Sequence, residues 1–399
     1  MLARSDAVLF DSGNARPFVV AVVIGTRPEA IKLFPVIHAL SRQRDFAVRV
    51  VITAQHREML DQVMAIAGIK ADYDLDIMRP GQTLTGVTAA ALVALTPVIE
   101  EMRPDAVIVQ GDTTTAFAGA LAAFYAKVPV VHIEAGLRSG KKYSPFPEEI
   151  NRCLVDAMTD VFLPPTSRAR DNLLKEGFSP EAIHVTGNTV VDALLWMQAR
   201  LEDDQALRQE IEADLPPPQV GRRTVLVTSH RRENFDGGIA SICDGLRCLA
   251  ARGDVQIVFP VHPNPNVREP VFRLLGDVPG IELVQPLNYL QFVCLMMRSA
   301  LIITDSGGVQ EEAPALGVPV LVMRDTTERP EGIEAGTARL VGANGDRIFG
   351  AASELLDDAV AYGAMAKAHN PFGDGKASER ITDILRSYLS AETVLQKAG

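Results

Sequence analysis

The chain has 399 residues, 47% hydrophobic and 22% charged, which supports a large core divided over two or three domains and excludes a chain that stays unfolded. Its 39 Lys+Arg against 50 Asp+Glu give a net charge of −11, with no basic block of the kind that neutralises a polynucleotide, so nucleic-acid binding is not expected while a small anionic ligand is allowed. The cysteines at 153, 243, 248 and 294 lack C-x-x-C spacing, and the seven histidines form no metal-ligand pattern, so neither a disulfide scaffold nor a metal site is expected.

No apolar run of membrane-spanning length is expected, the strongest being the strand-length stretch at 18–24. Residues 1–16 alternate polar and apolar without a continuous hydrophobic stretch, which reads as a loose tail rather than a secretory leader. A cytoplasmic location with no membrane partner follows as the expectation.

From residue 18 the pattern is strand, loop, helix, repeated. Strands are predicted at 18–24, 48–53, 106–110 and 128–133, with helices after the first three. A Pro-rich break at 215–219 precedes a second series of strands at 224–228, 255–261, 281–284, 301–304 and 318–323. Strands alternating with helices imply parallel sheets covered on both faces. The predicted organisation is an N-terminal tail (1–17), one α/β domain (18–188), a second (189–376) and a C-terminal helix (377–399), with the hinge at the Thr186-Gly-Asn-Thr189 turn.

In doubly wound sheets ligands bind outside the carboxyl ends of the strands, so the residues that follow each strand carry the functional reading. After the first strand come Gly25, Arg27 and Lys32. One glycine where the dinucleotide fingerprint needs three speaks against NAD on this turn. Arg27 and Lys32 are either phosphate contacts or part of a solvated helix face. Asp112, Glu134 and Glu148 follow later strands or loops. Acids converging from different strands suit proton transfer, although Asp112 could instead cap the helix after it and Glu148 could be a first-turn helix acid.

In the second half, Ser306, Gly307 and Gly308 end a strand and open a helix, an arrangement whose free amides suit a diphosphate or form a plain turn. Glu312 stands where a carboxylate could take ribose hydroxyls. His230, next to Arg231 and Arg232, reads as a catalytic donor to a phosphate or leaving oxygen rather than a core histidine, and Arg329 can fork onto a phosphate.

These segments resemble the non-hydrolysing UDP-N-acetylglucosamine 2-epimerases: GTRPEAIK at 25–32, TAQHREMLDQV at 53–63, GDTTT at 111–115, HIEAGLRSG at 132–140, PFPEEINR at 145–152, TGNTVVDALLW at 186–196, HRREN at 230–234, HPNPNVREP at 262–270, DSGGVQEEAP at 305–314 and VMRDTTERPE at 322–331. The resemblance implies two Rossmann-like domains around a deep cleft, as in glycosyltransferase-B folds, with the C-terminal helix near the hinge. It implies a homodimer that interconverts UDP-GlcNAc and UDP-ManNAc without a cofactor. It assigns Arg27, Lys32, His230, Ser306, Gly307, Gly308, Glu312 and Arg329 to UDP, Phe292 to the uracil, and Asp112, Glu134 and Glu148 to catalysis. Leu287 stands where some members carry an amide. Some bacterial members are activated by their own substrate at a neighbouring pocket, and the segments of Gln55, Arg231 and His262 resemble that pocket.

Overall fold

The computed structural model describes residues 16–398 apart from 56, 80 and 236. The expected tail lies outside the described residues except for 16 and 17. Arg16 forks onto the Asp105 carboxylate at 2.8 and 2.9 Å.

Two six-stranded parallel sheets form, each with the Rossmann strand order. The first contains β1 (Phe18–Ile24), β2 (Phe46–Ile52), β3 (Tyr73–Asp74), β4 (Ala106–Gln110), β5 (Val130–Ile133) and β6 (Val161–Leu163), in the order β3-β2-β1-β4-β5-β6. The second contains β7 (Arg223–Thr228), β8 (Val255–Pro260), β9 (Ile281–Val284), β10 (Leu301–Thr304), β11 (Val320–Val322) and β12 (Ala338–Leu340), in the order β12-β11-β10-β7-β8-β9. The central strands are sealed on both faces, as a parallel sheet under two helical layers requires. In β1, Val20 to Ile24 are fully buried. Strand order reverses at β1/β4 and at β7/β10, and the loops and helices that follow these strands hold most of the residues singled out above.

Sequence reading overlooks three strands, β3, β6 and β12. All are sheet edges of two or three residues, too short for a β-branched run to stand out. It also overlooks the helix Leu84–Met102, 19 residues with a mean hydropathy of 1.4, long and apolar enough by those measures to cross a membrane. That corrects the expectation that no such run exists. The helix lies in a layer over the first sheet, with Val87, Ala91, Leu95 and Ile99 packed into the core beside the helix Thr114–Tyr125.

The helix Thr189–Asp203 joins the two halves. It packs on the helix Arg27–Ser41 on one side and on Tyr289–Met297 and Gly307–Glu312 on the other. One apolar cluster therefore runs from Leu33 through Val190, Leu194 and Met197 to Val293 and Ile302. The C-terminal helix Ala377–Ala398 returns to the first half, where Ile381, Leu385 and Leu389 are buried and Arg386 pairs with Asp45 at 2.6 Å.

Candidate active site

A cavity of about 410 Å³ opens where the loops after β1, β4 and β5 meet the second half, and Lys32, Gln55, Asp112, Glu134, Glu148 and Arg329 line it. Glu134 follows β5 directly with φ +68°, a left-handed conformation that costs a non-glycine residue about 1 kcal/mol or more. Its amide bonds to the Leu163 carbonyl at 3.0 Å. Its buried carboxylate accepts from Lys32 Nζ at 2.6 and 2.7 Å and from the Gln110 amide. Burial alone would lower the Lys32 ammonium, but Glu134 and Glu311 outweigh it and raise it.

Asp112 is not a helix cap. Thr113 caps the helix Thr114–Tyr125, accepting from the Ala116 amide at 2.9 Å. The Asp112 carboxylate instead pairs with the Arg152 guanidinium, and its carbonyl accepts from Asn151 Nδ2 at 2.9 Å. Glu149 steadies that guanidinium at 3.2 Å while accepting from the amides of Ser139 and Gly140. Glu148 opens the helix Glu148–Asp156 and faces the cavity, so its helix-terminal and site positions coincide.

In the second half, fully buried Asp305 gathers the loop after β7. It accepts from the amides of His230 and Arg231 at 2.9 and 3.0 Å, from Ser229 Oγ at 2.9 Å and from Asn234 Nδ2 at 3.0 Å. Its other oxygen lies 3.0 Å from His230 Nδ1. Burial would raise the Asp305 carboxyl, but His230 and the two amides outweigh it and hold it low. His230 is 40% exposed, in keeping with a ligand-facing histidine.

The Ser306 amide is engaged by Thr304 Oγ1 at 2.9 Å. Of the expected amide cradle, the donors not used in this way begin at Gly307, which opens the short helix Gly307–Glu312. Both glycines lie against functional side chains. A Cβ on Gly307 would sit 3.5 Å from Arg329 Cζ, and one on Gly308 would sit 3.7 Å from Glu312 Oε2. Glu312 Oε1 accepts from Tyr289 Oη at 2.8 Å, and burial pushes its carboxyl up to about 7. Arg27, from the first half, lies close enough to feel that charge, although burial pushes its guanidinium down. Phe292 is half-buried in the helix Tyr289–Met297, near half-buried Leu287.

Arg329 joins the halves. Its Nε donates to Glu311 Oε1 at 2.6 Å, and Nη2 lies 4.0 Å from Glu134. Lys32 Nζ stands 3.8 Å from Glu311, so Lys32, Glu134, Arg329 and Glu311 alternate in sign across the junction. Of the segments compared with an activator pocket, the His262 ring lies 6.0 Å from that of His230, and the Arg231 guanidinium lies 3.7 Å from Glu328. Gln55 lines the cavity, where it accepts from Thr115 Oγ1 at 3.2 Å. Among the described residues, no hydrogen bond joins it to the other two.

Four residues that sequence reasoning did not single out hold this arrangement in place: Glu29, Arg152, Asp305 and Glu311. Asp305 directly follows β10, so the strand-end criterion that selected Glu134 could have found it. The other three lie inside helices, where an acid or base reads as a solvated face.

A family profile described as UDP-N-acetylglucosamine 2-epimerase matches residues 38–386. The UDP-N-acetylglucosamine 2-epimerase of Escherichia coli is 52% identical over 369 residues, 92% of this chain and 98% of that one. The chain belongs to the UDP-N-acetylglucosamine 2-epimerase family. Among solved members, the UDP-GlcNAc 2-epimerase of Neisseria meningitidis, bound to UDP-GlcNAc, superposes with a TM-score of 0.87 at 47% identity, covering 92% of this chain and all of that one. The Methanocaldococcus jannaschii epimerase, in complex with UDP-GlcNAc and UDP, gives 0.79 at 36% identity over 92% of this chain and 99% of that one. The epimerase fold extends to a glycosyltransferase of kitacinnamycin, with a TM-score of 0.63 at 15% identity over 94% of this chain and all of that one.

Proposed function

We propose that this enzyme interconverts UDP-N-acetylglucosamine and UDP-N-acetylmannosamine by inverting C2 of the sugar. The observation that carries the reading is one cavity lined by the carboxylates Asp112, Glu134 and Glu148 together with the cations Lys32 and Arg329. The hydrogen on C2 is not α to a carbonyl, so removing it alone is too costly. Elimination meets the difficulty: a base takes the C2 proton as the C1–O bond breaks, UDP departs with the bonding pair, and 2-acetamidoglucal remains. Re-addition of UDP with protonation of the other face gives the epimer.

In this reading Asp112, Glu134 and Glu148 hold and move the C2 proton. Arg27, Lys32, Arg329, His230 and the turn at Ser306, Gly307 and Gly308 stabilise the charge on departing UDP. Glu312 takes the ribose hydroxyls through Oε2, and Phe292 meets the uracil. Gln55, Arg231 and His262 belong to an adjacent site where a second substrate molecule activates the enzyme. The reaction uses no cofactor.

The division at residue 188 is part of the proposal, supported by Asn188, which caps the helix Thr189–Asp203 and donates to Glu311 at 3.1 Å. A homodimer is supported by exposed apolar side chains on three successive helices, Val93, Phe124, Tyr125, Ile150 and Leu154. A cytoplasmic location and supply of a precursor for cell-surface polysaccharide follow from the same reading. The test is incubation of purified protein with UDP-GlcNAc alone. UDP-ManNAc as product supports the reading; free ManNAc with UDP, or no change, rejects it.

A further inference from the structure

Glu29 is fully buried and forms part of the cavity wall, and no cation lies within ion-pairing distance of it among the described residues. One of its oxygens, Oε2, accepts from the amides of Gly25 and Thr26 at 3.0 and 2.7 Å and from Thr26 Oγ1 at 2.8 Å. That is the capping box of the helix Arg27–Ser41, and a glutamine amide oxygen serves a capping box as well. A buried carboxyl group is costly to keep for that purpose alone.

The second oxygen does something else. Oε1 accepts from Thr113 Oγ1 at 2.6 Å, across 84 positions of sequence. The same Thr113 hydroxyl oxygen accepts from the Ala116 amide, so both of its hydrogen-bonding roles are engaged, and its chain neighbour is Asp112. An independent contact presses the same two loops together. A Cβ on Gly25 would lie 2.0 Å from Thr115 Oγ1, so the loop after β1 touches the segment after β4 closely enough to require glycine.

We propose that Glu29 is a positioning residue of the reaction, its carboxylate tying the loop of Arg27 to the loop of Asp112 through Thr113; this rests on the epimerase reading above. Asp112 is then fixed from two directions. Arg152 holds its carboxylate from the helix Glu148–Asp156, and Glu29 holds the main chain beside it. A base displaced by about 1 Å loses on the order of a hundredfold in rate.

Glu29→Gln isolates the tie. Its amide oxygen can keep the capping box, while its NH2 faces Thr113, where an acceptor stood. The expected result is a kcat lower by about ten- to a hundredfold, with KM and the Kd for UDP within about threefold and Tm within a few degrees of the parent, and with faster hydrogen exchange over residues 111–116. Thr113→Val should lower kcat similarly, Thr113→Ser should restore it, and Glu29→Gln combined with Thr113→Val should be no slower than the slower single variant. If Glu29→Gln does not fold, the Val and Ser variants at 113 decide the same question. A folded Glu29→Gln with kcat within about twofold of the parent, or with unchanged exchange over 111–116, overturns the proposal. Parent protein that leaves UDP-GlcNAc unchanged would overturn the functional reading instead, and the exchange measurement would still decide the tie.

Discussion

Lys32 donates to both carboxylate oxygens of Glu134, at 2.7 and 2.6 Å, from the helix Arg27–Ser41, 102 positions away. Both side chains are nearly buried, 14% and 6% exposed. Breaking a buried pair from one side leaves a charge without its partner, which costs about 3–5 kcal/mol, whereas removing both charges costs much less. Lys32→Met should therefore destabilise the protein by about that amount. Lys32→Met combined with Glu134→Gln should recover most of the loss. Urea unfolding of both variants checks this, and a double variant less stable than Lys32→Met would contradict it.

Asp112 and Thr113 should separate turnover from stability. Thr113 supplies the helix cap, so Asp112→Asn should cost about 10²–10⁴ in rate while leaving that cap in place. Thr113→Val should lose about 1 kcal/mol of stability as well as turnover. Rates and melting curves on the two variants, measured together, show whether the roles divide in this way.

Glu312→Ala should weaken UDP binding by about 1–3 kcal/mol, because it leaves ribose hydroxyls and the Tyr289 hydroxyl without their acceptor. Calorimetric titration with UDP reads the change. An unaltered Kd would place the ribose elsewhere.

Burial raises the Glu29 and Glu312 carboxyls from 4.5 to about 7 each. A carboxyl whose folded-state value lies above its unfolded one binds its proton more tightly when folded. Its contribution is present below about pH 4.5 and is lost as pH rises through about 7. Glu312→Gln removes that loss, so its Tm should fall less than the parent's between pH 5 and pH 7, by a few degrees on the order expected for 1–2 kcal/mol. Calorimetric scans across that interval check the sign; parallel Tm profiles would contradict it.

Much of the fold is legible in the sequence because its central strands are runs such as Phe18-Val-Val-Ala-Val-Val-Ile24, buried on both faces. The edge strands β3, β6 and β12 are not, since two or three residues carry no period. The helix Leu84–Met102 escapes because Thr, Gly and Pro interrupt its apolar pattern. At the site, Glu134 and His230 stand out by following strands. Glu29, Arg152 and Glu311 do not, because their meaning lies in partners brought close only by folding. Glu311 meets Arg329 and Asn188, the latter 123 positions away. Asp112 shows the converse: its place before a helix suggests a cap, and only the geometry shows that Thr113 does that work.

The most direct test of the central claim, that the acids around the cavity remove and return the C2 proton, is the reaction run in D₂O and followed by NMR. UDP-ManNAc formed by the parent enzyme should carry deuterium at C2, with exchange slowed by about 10²–10⁴ in Asp112→Asn and Glu134→Gln while both still bind UDP. Product without deuterium at C2, or normal exchange in both variants, would contradict it.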